Sequence, residues 1–114
     1  MTDFKRVYQK FISLEIQAEA STAFPKLDAV EKKVLGLLSC YWLNKKPITV
    51  VEAIKMTSEI STSTLFRYLK KLRQKGYVEL IVDENDNRIK YVSATPQADK
   101  YFSQLGKLMV EALS

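Results

Sequence analysis

The stretch Ser61–Gly76, STSTLFRYLKKLRQKG, decides how the chain is read. It contains Arg67, Lys70, Lys71, Arg73 and Lys75 and no acidic residue. Wound as a helix, it brings Leu65, Leu69 and Leu72 within about 60° of one another, with Tyr68 beside them. That row is the expected buried stripe. Opposite it fall Ser63, Arg67, Lys70 and Gln74, with Thr64 and Lys71 on one shoulder and Phe66 on the other. Ser61 suits the N-cap, where its hydroxyl can take a free amide proton. Gly76 suits the left-handed stop, where a Cβ would clash.

The chain carries 18 basic and 13 acidic residues, a net charge of +5. The window above carries +5 by itself, so the remainder sums to zero. A solvated helix face usually mixes signs and gains from pairs one turn apart. Here like charges at 67, 70, 71 and 73 repel unless an anion neutralises them. Small hydroxyls at the start of such a helix allow close approach to a duplex, and Arg67 can engage both acceptors of a guanine. Lys70 and Lys71 can hold phosphates without reading sequence. Phe66 is expected to tuck sideways against the preceding short helix; contact with a thymine methyl is the alternative.

At 114 residues, one domain is the natural expectation. Three glycines and three prolines argue against long low-complexity stretches. No apolar run is long enough for a membrane span. The opening MTDFKRVYQKF lacks a basic cluster followed by an apolar run, so a cytoplasmic location is expected. Cys40 has no second cysteine to pair with, and there is no histidine, so a Cys-based zinc site and the commonest general base are excluded. No nucleotide-cradling or nucleophile-elbow motif is present. No enzyme activity, metal or cofactor is expected. Cys40, followed by Tyr41 and Trp42, reads as a small buried thiol beside core aromatics.

Outward from the basic helix, Thr49-Val-Val-Glu52 is a capping pattern opening a short helix to about Thr57, with Ile48 adding a residue or two of strand ahead of it. Asp28-Ala-Val-Glu31 opens another, with Val34, Leu37, Leu38, Tyr41 and Trp42 on its apolar stripe, ending near Asn44. Lys45 and Lys46 suit the negative end of its dipole, and Pro47 stops it. After Gly76, Tyr77–Val82 and Ile89–Ser93 read as two strands joined by the polar turn Asp83–Arg88. Thr95-Pro96 is a cap followed by proline at the first helical position. The last helix runs to about Leu113, with Tyr101, Phe102, Leu105, Leu108, Met109 and Ala112 on one side. A first helix from Thr2 or Asp3 to about Ala20 carries Phe4, Val7, Tyr8, Phe11 and Ile12 at helical spacing.

The predicted fold is mainly α with a small β-hairpin. It is a winged helix-turn-helix over 28–93 with flanking helices at 1–20 and 95–113, in a single domain spanning 1–114. Both terminal helices are apolar beyond what that core needs, so they are expected to form a homodimer.

The run STSTLFRYLKKLRQKGYV at 61–78 resembles the pattern of the MarR-type winged-helix transcription regulators. So do Asp86-Asn87-Arg88, the following Val92, and Thr95-Pro96. The likeness covers about 48–101. It implies that Ser61, Thr62, Ser63, Thr64 and Arg67 face the major groove of double-stranded DNA or its flanking phosphates. It also implies that Arg88 reaches the minor groove from the wing, held by Asp86. Lys90, on the returning strand, is a further expected DNA-binding residue. The chain departs from the family in carrying Phe66 where a small polar residue is usual, and Ala98 where glycine is frequent. Its wing carries Asp83 and Glu84 besides Asp86, and one helix rather than two follows it. Many such regulators respond to small phenolic effectors, but no effector is legible here. Two other roles fit the fold. One is an interaction module within a larger assembly; the other, with few exposed aromatics in its favour, is a single-strand or RNA binder.

Overall fold

The computed structural model describes all residues, 1–114. The elements run α1 (Phe4–Ser21), α2 (Ala29–Leu43), α3 (Val50–Ala53), α4 (Thr62–Gln74), β1 (Val78–Val82), β2 (Lys90–Ala94) and α5 (Pro96–Ala112). This is the expected mainly helical fold with one antiparallel hairpin. The chain divides into two compact units, Leu27–Ala98 and the pair of segments Met1–Lys26 and Asp99–Ser114. No helix is long and apolar enough to cross a membrane.

Within Leu27–Ala98, local chemistry sets the helix starts. Asp28 accepts from the Glu31 amide at 2.7 Å while the Glu31 carboxylate accepts from the Asp28 amide at 2.9 Å, closing the predicted capping box. Thr49 and Glu52 repeat it with bonds of 3.1 and 3.0 Å. The Thr49 hydroxyl donates a further bond to Glu52, and these bonds hold the Glu52 carboxyl below its usual range. Ser61 Oγ accepts from the Thr64 amide at 3.2 Å. Ile48 contributes one short bridge rather than a strand: its carbonyl accepts from Val92 at 2.8 Å, and Thr49 pairs with Tyr91.

Two helices end in the same way. At the end of α4, Gly76 N donates to Arg73 O and Tyr77 N to Leu72 O, the paired bonds of a Schellman turn. At the end of α2, Lys45 N donates to Trp42 O and Lys46 N to Tyr41 O. Gly76 takes φ +83° without strain, but Lys45 adopts φ 53° with a Cβ to accommodate. The lysines expected only to complement a dipole therefore include the turn residue itself.

Val34, Leu35, Leu38, Ile48, Ala53, Leu65, Leu69, Leu72, Tyr77, Val78, Val92 and Ala98 are buried and make up the core of this unit. The α4 stripe is as predicted. On α2 the buried set centres on Leu35 and Leu38, and Leu37 is only half-buried. Trp42 turns its indole N–H to the Val92 carbonyl at 3.1 Å, tying α2 to β2. The hairpin pairs Val78 with Ala94 through Val82 with Lys90.

Three expectations are corrected, and one cation of the basic window finds its partner. The short helix ends at Ala53, not Thr57, because the chain tightens into three-residue bonds after it (Lys55 N to Glu52 O, Met56 N to Ala53 O). Cys40 is exposed, not buried; it lies far round α2 from the core-facing Leu38, with its thiol toward the Gly36 carbonyl at 3.5 Å. Phe66 is 43% exposed and so does not close into the core. Lys75, counted in the charge of the basic window, turns inward to the carboxylate of Glu31 at 2.7 Å. Glu31 is 1% exposed, the one charged residue among the buried side chains.

In the other unit, Asp3 caps α1 through the Arg6 amide at 3.2 Å. Lys10 reaches the Ser114 carbonyl at 3.0 Å, and Phe24 meets Tyr101 edge-on with ring centroids 6.1 Å apart. No residue of α1 is fully buried.

Replacing Lys45 by glycine should raise the unfolding free energy by roughly 0.5–1 kcal/mol, by relieving the left-handed conformation. Gly76→Ala should lower it by about 1 kcal/mol or more. Lys75→Ala strands a buried carboxylate and should cost about 2–3 kcal/mol, discounted from a fully buried pair because Lys75 is partly solvated. Urea denaturation followed by circular dichroism measures all three. Lys71→Ala, within about 0.5 kcal/mol of the parent, is the control.

Candidate nucleic-acid interface

The outer face of α4 is presented because its inner face is occupied by leucine packing. Thr62, Ser63, Phe66, Arg67, Lys70, Arg73 and Gln74 are exposed, and Thr64 and Lys71 are half-buried. Ser61 is exposed, but its hydroxyl is engaged. It caps the helix, donates to Thr64 Oγ1 at 2.8 Å and lies 3.3 Å from Ser63 Oγ. The side chains of Thr62 and Ser63 thus stand foremost at the helix start.

The crowded cations are spaced by aromatic rings. Lys70 Nζ lies 4.7 Å from the Phe66 ring centroid. Tyr68 is shared by Lys71 Nζ at 4.6 Å and the Arg67 guanidinium at 5.5 Å. Each such contact offers about 0.5–1 kcal/mol at an exposed site, enough to offset like-charge repulsion along one helix. The row tolerates its own charge before any anion arrives.

The wing is built by two carboxylates. Asp83 Oδ2 accepts from the amides of Asn85 and Asp86 at 3.0 and 3.1 Å, and its Oδ1 accepts from the Tyr91 hydroxyl at 3.1 Å. That hydrogen bond, with the Asp83 charge, raises the Tyr91 pKa. Asp86 receives the Arg88 Nε and Nη2 at 3.0 Å each, and the Arg88 amide at 3.0 Å as well. The paired guanidinium lowers the Asp86 pKa and is itself raised, so both stay charged. Two of the wing's three acids, Asp83 and Asp86, are therefore turned to holding the loop and Arg88. Glu84 stands exposed.

Helix and wing meet around one groove with a volume of about 550 Å³. Lys70 and Arg73 line it from α4, and Arg88 and Lys90 from the wing. Its apolar wall includes Val50, Val51, Phe66 and Leu80, and none of its lining residues is acidic. Of the sequence-predicted residues, Lys70, Arg88 and Lys90 are brought together here. Ser61, Thr62, Ser63, Thr64 and Arg67 are not among its walls, and Lys71 lies on the Tyr68 side. Arg73 was missing from the predicted set, although its position three residues beyond Lys70 places it on the same side.

Residues 41–98 match the model of the winged helix DNA-binding domain, and the chain belongs to that family. The resemblance to the MarR-type winged-helix transcription regulators holds in the fold, which the chain shares with solved members of that group. Wild-type MarR from E. coli, in its apo form, is 28% identical with a TM-score of 0.60, the match covering 96% of this chain and 76% of that one. A mutant MarR from E. coli complexed with operator DNA is 25% identical, also at 0.60, covering 96% and 66%. The fold is shared too with S. aureus MepR bound to ethidium bromide, at 17% identity and a TM-score of 0.65, covering 97% and 77%. The chain thus spans two thirds to three quarters of the length of these proteins. No curated protein matches it by sequence.

Because the folded-state pKa of Asp86 is depressed, the wing ion pair contributes fully above the unfolded-state value and is lost as pH falls through the folded one. Carbon-detected NMR titration should put the Asp86 midpoint below that of a free aspartate, about 3.9. In Arg88→Ala it should return toward that value.

Proposed function

We propose that the chain is a sequence-specific, double-stranded DNA-binding transcriptional regulator that acts as a homodimer. The observation that carries this reading is the acid-free outer face of α4, continuous with the basic groove leading to the wing. Thr62, Ser63 and Arg67 enter the major groove, where small hydroxyls permit close approach and Arg67 reads a guanine. Ser61 and Thr64 serve the helix start and offer their remaining hydrogen-bonding capacity to flanking phosphate. Lys70, Lys71 and Arg73 hold phosphates, and Arg88 and Lys90 extend the contact to the adjacent minor groove. The operator complex of the mutant MarR supports duplex DNA as the partner.

The terminal helices supply the two-fold contact. α1 leaves Phe4, Tyr8 and Ile16 exposed, and α5 leaves Met109 and Val110 exposed, with Leu113 beyond its end. Apolar side chains on two helices, with none of α1 fully buried, suit a symmetric interface better than open solvent. A dimer would set two copies of α4 about one helical turn of DNA apart, roughly 34 Å.

Selection from a random duplex library at physiological salt should return a pseudo-palindrome bound in the nanomolar range. Binding should weaken steeply with salt. Arg67→Ala should lose about tenfold or more in affinity while unfolding like the parent. A well-folded protein with no duplex preference at moderate salt would reject the reading, and an Arg67→Ala variant that binds normally would reject the assigned face. In sedimentation equilibrium, the parent should run as a dimer and a Phe4→Glu, Tyr8→Glu variant as a monomer.

A further inference from the structure

Phe66 is left unexplained by core packing and by phosphate contact alike. It lies in the second turn of α4, one turn after Thr62 and next to Arg67, the region of such a helix that approaches base edges. The residue is 43% exposed, whereas Leu65 and Leu69 on the same helix are buried. The short helix α3 does not receive it: Val51 is itself exposed, and the groove shared by Val50, Val51 and Phe66 stays open at about 550 Å³. The Lys70 ammonium lies over the ring, 4.7 Å from its centroid, and the ring otherwise lines the open groove.

We propose that Phe66 is a specificity-determining residue that packs against the C5 methyl group of a thymine in the major groove. The proposal rests on the duplex-DNA reading above. Bases in an intact duplex are stacked and offer no face to an aromatic side chain. On the groove floor the thymine methyl is the one apolar feature, and it is the partner a partly exposed Phe can desolvate. Lys70 lies one helical turn, about 6 Å, further along, which lets its ammonium meet a phosphate while the ring beneath it meets the methyl. Phe66 would thereby read a base that hydroxyls and guanidinium groups at neighbouring positions do not distinguish.

Uracil lacks only that methyl group, which makes it the direct probe. Duplexes carrying the selected sequence are synthesised with deoxyuridine at each thymine in turn and titrated with the parent and with Phe66→Ser. At one position in each half-site the parent should lose roughly fourfold in affinity on methyl removal, about the worth of one buried methyl group. Phe66→Ser should bind the thymine and uracil duplexes equally, and more weakly than the parent binds thymine. A parent indifferent to uracil at every position overturns the assignment, without recourse to the variant's folding. Equal sensitivity of parent and variant overturns it as well. Failure of the parent to bind any duplex would instead sink the DNA reading, and this assignment with it.

Discussion

The ion pair between Lys75 and Glu31 is the constraint around which the winged unit is arranged. Glu31 belongs to the first turn of α2, and its one carboxylate oxygen receives both the Asp28 amide and the Lys75 ammonium. Lys75 caps α4, and its carbonyl accepts from Gln97 Nε2 at 2.8 Å. The next carbonyl, of Gly76, accepts from the Thr95 hydroxyl at 2.6 Å, and Tyr77 beside it is wholly buried. Three successive residues thus join the start of α2, the end of α4, the foot of the hairpin and the opening of α5. With α4 fastened at its C-terminal end, its N-terminal turns are the part left to meet a partner. A buried charge is costly unless paired, so this corner tolerates little rearrangement.

Much of this was legible in the sequence because much of it is local. The caps at Asp28, Thr49 and Ser61, the stop at Gly76 and the leucine stripe of α4 each depend on residues within one or two turns. Periodicity tells which side of a helix is apolar, and it did so correctly for Leu65, Leu69 and Leu72. It does not tell what stands opposite. The inward turn of Lys75 depends on a carboxylate 44 positions away, and no spacing rule carries that information. Phe66 and Cys40 went astray for the related reason that an apolar side chain suggests a core whether or not a packing partner is within reach. The early end of α3 reflects a backbone choice, three-residue bonds over four, to which the apolar pattern of Ile54 and Met56 is blind.

The candidate site was legible in part. Charge placement pointed to α4, and the resemblance to the wing at Arg88. Their convergence on one groove, with Arg73 included, required the hairpin register that sets Lys90 opposite Val82. The rings of Phe66 and Tyr68 were visible as residues, but their service as spacers between cations was not. Cation–ring contacts on a helix need particular rotamers, and rotamers are chosen by the packed structure.

The wing achieves its shape without glycine. Residues 83–89 contain none, and the loop is held by aspartate side chains that accept backbone amide protons. A glycine-rich tip would fluctuate through many conformations when free and surrender that freedom on docking. Here Arg88 is already bracketed by two bonds to Asp86 and one from its own amide. Immobilising a long side chain at an interface costs about 0.5–1.5 kcal/mol, and part of that loss has been met by folding. On the duplex-DNA reading proposed above, the wing offers its cation already held, which favours discrimination by groove shape over adaptation to whatever groove it meets.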